Sequence, residues 1–101
     1  MQLIKKLEDQ IQEELHDSKK YIKCALKMKE ENEKLADVYY KLSAEEMKHV
    51  EMLHEQVIDI IEDYRKEHGE PPTEMMAVYN YLHEKAIDKT AEIKILWSMY
   101  K

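Results

Sequence analysis

The chain carries a single glycine, Gly69, and only two prolines, Pro71 and Pro72, so no helix-breaking residue precedes position 69. With 38% charged residues, this describes long solvated helices rather than a sheet protein. The longest candidate runs from Leu35 to His68. Its apolar side chains recur at Leu35, Tyr39, Leu42, Val50, Leu53, Val57, Ile60 and Tyr64, the three-and-four spacing of one helical stripe. Glu46 and His49 continue that stripe. A carboxylate and an imidazole one turn apart, on a face expected to be dry, are costly unless something offsets their polarity, and a bound metal does so.

Gly69 stops this helix and Pro71-Pro72 forbid its continuation. A third helix over about 74–100, with Thr73 as its expected N-cap, carries Met75, Tyr79, Leu82, Ala86, Ile93, Trp97 and Tyr100 on one face. Upstream, Leu3, Leu7, Ile11, Ile22 and Ala25 mark a first helix over about 2–29, with Glu14, Ser18 and Tyr21 in the same seam. The polar run Lys29 to Lys34, which contains Asn32, supplies the turn before a second helix over about 35–68. The 101 residues therefore read as one all-α domain, a long antiparallel hairpin followed by a C-terminal helix.

A net charge of -6 argues against a nucleic-acid partner and mildly favours cations. No apolar run approaches the roughly 20 residues of a bilayer span, and the N-terminus lacks a signal-peptide core, so the expectation is a cytoplasmic protein without a membrane partner. Cys24, the one cysteine, has no Cys-x-x-Cys partner for zinc or redox work and is expected to be a small buried hydrophobe.

Glu-x-x-His occurs three times, as Glu13 with His16, Glu46 with His49, and Glu51 with His54, and helical position separates them. Glu13 and His16 share the solvated side of the first helix with Lys6, Asp9 and Lys20. Glu51 and His54 flank the stripe of the second helix, and His54 and His83 are expected to be structural or surface residues. Only Glu46 and His49 sit between Leu42 and Leu53. The corresponding intruder in the first helix is Glu14. With the turn at Asn32, Glu14 is 18 residues before it, Glu46 is 14 after it and His49 is 17 after it. At ~1.5 Å rise per residue, the three groups of an antiparallel hairpin fall within about one helical turn of one height.

One carboxylate from one helix and a Glu-x-x-His from its partner form half of the inward-facing di-iron set of four-helix bundles. The third helix has no Glu-x-x-His, and His83 is expected to lie roughly 14 Å from the site along the bundle. A second copy of the chain is the economical source of the other half.

Glu14-Leu-His-Asp-Ser-Lys-Lys-Tyr21 followed by Leu42-Ser-Ala-Glu-Glu46-Met-Lys-His49 resembles the ferritin-like superfamily, closest to its rubrerythrin and encapsulated-ferritin branches. The resemblance covers about the first two thirds of the chain. It implies a non-haem di-iron centre with Glu14 and Glu46 as carboxylate ligands, His49 as the nitrogen ligand and Tyr21 standing just behind them. It also implies pairing with a second subunit into a four-helix bundle and iron at two per dimer, with manganese equally suited to the oxygen-rich ligands; an encapsulating shell protein is a further partner in the encapsulated branch, but no encapsulation tail is recognisable after Trp97. The fold expected on this basis oxidises ferrous iron. The alternative is a non-enzymatic helical assembly or adaptor protein with a structural metal site or none. Rubrerythrins also carry a rubredoxin module with paired Cys-x-x-Cys, which this sequence lacks, so peroxide reduction of that kind is not expected.

Overall fold

The computed structural model describes residues 2–101, which form three α-helices: α1 over Gln2–Met28, α2 over Glu33–His68 and α3 over Thr73–Tyr100. Each boundary lies within two residues of the sequence reading. α1 and α2 are antiparallel, and α3 returns alongside α1 to give a rod of 55 × 18 × 18 Å. No helix is long and apolar enough to cross a membrane among the described residues.

The connections follow from local chemistry. After α1 the amides of Glu31 and Asn32 both donate to the Met28 carbonyl, and the Asn32 side chain then accepts from the Leu35 amide at 3.1 Å, capping α2. α2 ends where Gly69 takes φ 80, a left-handed conformation that Cβ-bearing residues avoid, and its amide donates to the Arg65 carbonyl at 3.0 Å. The start of α3 departs from expectation. Thr73 is its first residue and makes no side-chain cap; the Pro72 carbonyl accepts the first helical bond, from Met76. Pro71 and Pro72 hold the entry extended, so the side-chain cap is dispensable.

Ile11, Ser18, Ile22 and Ala25 of α1 and Val50 and Val57 of α2 are buried as expected, while burial moves the other seam positions by about one residue. On α1 the buried residues are Ile4, Glu8, Ile11, Leu15, Ser18, Ile22 and Ala25, alternating steps of four and three as in a coiled-coil seam. Leu3 is instead 53% exposed. On α2 the buried Ala36, Ser43, Met47, Val50, Val57 and Ile61 follow the same rhythm, with half-buried Tyr40 and His54 filling its gaps. Each fully buried isoleucine, such as Ile22 or Ile93, stabilises the bundle by about 1.5–3 kcal/mol.

Two serines bring α1 and α2 together at their closest polar contact. The Ser18 hydroxyl donates to the Ser43 carbonyl at 2.8 Å, the Ser43 hydroxyl donates to the Ser18 carbonyl at 2.7 Å, and both side chains are fully buried. Small side chains allow the approach, and the reciprocal bonds remove the cost of burying the hydroxyls. Trp97 of α3 completes this clasp by donating from Nε1 to Ser43 Oγ at 2.9 Å. Its ring and that of Tyr100 pack on Tyr40, at 6.2 and 4.9 Å between centroids. Tyr100 also donates to Asp37, a bond that pushes the phenol pKa up to about 12.

Candidate metal centre

α3 covers only one flank of the hairpin. It meets α1 through Gln12, which donates to the Leu82 carbonyl, and Lys19, which pairs with Glu92 at 2.9 Å. It meets α2 through Tyr40, Ser43 and His54. Glu14 precedes Lys19 by five residues and His49 precedes His54 by five, a rotation of about 140° in each helix. The two helices are antiparallel, so both rotations point to the same side. The sequence-derived site thus faces away from α3.

There the structure brings Glu14, Glu46 and His49 together: one ligand atom from each lies within 4.8 Å of the others. His49 Nδ1 stands 3.5 Å from Glu14 Oε2 and 3.8 Å from Glu46 Oε2. The face is wetter than its stripe implied, because the His49 side chain is 52% exposed while those of Glu14 and Glu46 are 29% and 19% exposed. The cause is the register shift: the dry seam passes through Met47 and Val50, and positions 46 and 49 lie on its shoulder.

Glu14 Oε2 is nevertheless buried and has no hydrogen-bond partner. The nearby imidazole nitrogen, at 3.5 Å, is too long and misdirected to serve. A cation among the three groups would supply what this oxygen lacks. Two carboxylates and one imidazole suit iron or manganese, and no described thiol joins them.

The other sequence-derived residues fall elsewhere. Tyr21 is about two turns further along α1 from Glu14, half-buried, with its ring stacked on Tyr39 at 6.2 Å between centroids. It packs the same bare flank. Glu13 and His16 are exposed, and Cys24 is half-buried rather than buried. His54 and His83 are half-buried and stacked face to face, with centroids 4.9 Å apart and planes 9° apart.

Sequence reasoning missed Glu8. Its side chain is fully buried, and neither carboxylate oxygen has a partner. Burial raises its pKa, with a smaller contribution from Asp9, so the carboxyl group holds its proton more tightly than a solvated one. The signal was present: starting the heptad at Ile4 instead of Leu3 puts a glutamate at a core position.

Comparison with protein-family models, curated proteins and solved structures returned no match to this chain.

Proposed function

We propose that this chain is a ferritin-like protein that binds iron between two copies of itself and oxidises ferrous iron there. The observation that carries the reading is the convergence of Glu14, Glu46 and His49, with an orphaned carboxylate oxygen among them, on the flank that α3 leaves bare. These residues are half of a di-iron donor set. α3 packs on the opposite flank and cannot supply the rest, whereas a second hairpin related by a two-fold axis doubles the set to four glutamates and two histidines. Half-buried Leu7, Tyr21, Tyr39, Leu42, Leu53 and Ile60 lie along the hairpin above and below the site and offer the apolar area such a four-helix bundle needs.

In this mechanism Glu14 and Glu46 bind the metal and offset the positive charge added when ferrous iron becomes ferric. His49 contributes a neutral nitrogen. Iron held by these residues in the ferrous state would supply the electrons for reduction of oxygen or peroxide. The apolar border limits water around the carboxylates and strengthens their hold on cations.

An anaerobic ferrous titration of the full chain, followed by air, tests the reading. The expected result is one iron per chain that Glu14→Ala releases, consumption of oxygen on exposure to air, and a dimer that tightens with metal in ultracentrifugation, since ligands drawn from both copies bind only the assembled state. His49→Ala abolishes the oxidation, and His16→Ala leaves it close to intact. Iron retained without oxygen consumption leaves the structural metal clip of an assembly protein. No retained iron, or the same monomer content with and without chelator, overturns the shared site.

A further inference from the structure

Beneath α3 the hairpin repeats its own pattern. Glu8 lies 24 residues before Asn32, while Glu51 and His54 lie 19 and 22 after it. A glutamate of α1 is thus level with a Glu-x-x-His of α2 a second time, on the flank that α3 covers. α3 adds what the bare flank lacks within one chain, a further imidazole. Glu8, His54 and His83 line one groove of about 370 Å³, with Ile11, Met47 and Ala86 forming apolar wall.

We propose that Glu8, His54 and His83 form a second, mononuclear site for a divalent transition-metal ion, built within one chain and independent of the shared iron site. The strongest indication is Glu8 itself, a fully buried carboxyl group on that groove with both oxygens unpartnered. Nothing in the apolar wall can satisfy it. The two imidazoles are the natural complement, because one buried carboxylate and two histidines match the donor set that selects zinc, cobalt, nickel, copper or ferrous iron. Burial and the neighbouring His83 lower the pKa of His54, which keeps its ring neutral and its nitrogen lone pair free for a metal.

The stacked rings do not converge on one point as they stand. Bonds of about 2.0–2.1 Å require ligand nitrogens to converge on one point, so His54 and His83 must swing out of their parallel stack. The groove gives them room. Tyr79 stacks on His83 at 5.4 Å and stays behind as the wall of the site. Any proton that Glu8 holds leaves to solvent as its carboxylate takes the ion.

Cobaltous ion is the probe, and the full chain carrying Glu14→Ala and His49→Ala is the background, so the shared site cannot contribute. The expected result is one cobalt per chain with a visible absorption band, and affinity lower by more than about 100-fold after His83→Ala or Glu8→Gln, since loss of a ligand exceeds the effect of losing a group behind one. Histidine ring resonances of the otherwise wild-type chain provide a second readout. Diamagnetic zinc should shift His54 and His83 together and leave His16 in place. The proposal is overturned if the background variant retains no cobalt, if His83→Ala binds as tightly as its parent, or if zinc moves neither ring.

Discussion

The covered and bare flanks of the α1–α2 hairpin hold nearly the same side chains in nearly the same spacing, yet place them in different media. Under α3, Glu8 is fully buried and its carboxyl pKa rises. On the bare side Glu14 and Glu46 keep 29% and 19% of their side-chain surface, and His49 keeps 52%. A spacing motif therefore fixes which groups meet. The element laid over them decides their protonation and their cost. α3 buries Glu8 on one flank and leaves the other partly open to solvent.

The sharpest way to break the contrast is Trp97→Ala, which removes the ring packed on Tyr40 and the donor to Ser43 Oγ. A loss of about 3 kcal/mol is expected in urea unfolding, the low end for a large aromatic because Trp97 is half-buried. Leu42→Ala on the bare flank should cost less in dilute protein and progressively more as concentration rises. Equal, concentration-independent losses would erase the distinction between the flanks.

A second test uses Glu8. In metal-free buffer at neutral pH, Glu8→Leu should raise stability by about 1–3 kcal/mol, the cost of an unpaired buried polar group. Its folded pKa lies above the unfolded value of 4.5. The native state thus binds the proton more tightly than the unfolded chain. The stability that Glu8 permits is complete below about pH 4.5 and is lost as pH rises through the folded value. The advantage of Glu8→Leu should therefore shrink in acid. Glu14→Leu with Glu46→Leu also removes self-repelling carboxylates, but their partial exposure makes the gain in the single chain smaller. A double variant that melts lower than the metal-free parent would mark these glutamates as supports of the fold.

The smallest effect has the opposite pH sign. His54 has a folded pKa below its usual 6.5, so its contribution is full above pH 6.5 and falls away as the solution is acidified through that value. His54→Gln should flatten the stability curve just below pH 6.5 without moving its neutral plateau much. A curve unchanged in that window would mean that the ring is as solvated as an ordinary surface histidine.

Helix number, helix ends and the meeting of Glu14 with His49 were legible because each rests on local rules: Gly69 and the prolines, Asn32, and equal counting from a turn. The core register was not, because α2 carries two apolar stripes about one residue apart. Leu35, Tyr39, Leu42, Leu53 and Ile60 make a convincing face, and only the packing of α1 and α3 shows that Ala36, Ser43, Met47 and Ile61 form the drier one. Glu8 escaped for the same reason. Thr73 misled because propensity favours it as a cap, whereas two prolines had already set the chain direction.

The Ser18–Ser43 clasp bridges 25 positions of sequence, while Gln12 to Leu82 and Lys19 to Glu92 bridge 70 and 73. The hairpin therefore closes a short loop and α3 a long one, which orders their assembly: α1 zips onto α2 first and α3 docks last. By the same ordering α3 is the first unit to detach in the native state, as a cooperative opening that leaves the hairpin intact. Amide exchange should accordingly divide the chain in two, with slow protons around Ser18 and Ser43 and faster ones along Thr73–Tyr100. Such an opening would uncover Glu8 without unfolding the helices that carry Glu14, Glu46 and His49, so any ion held on the two flanks would reach them by separate routes.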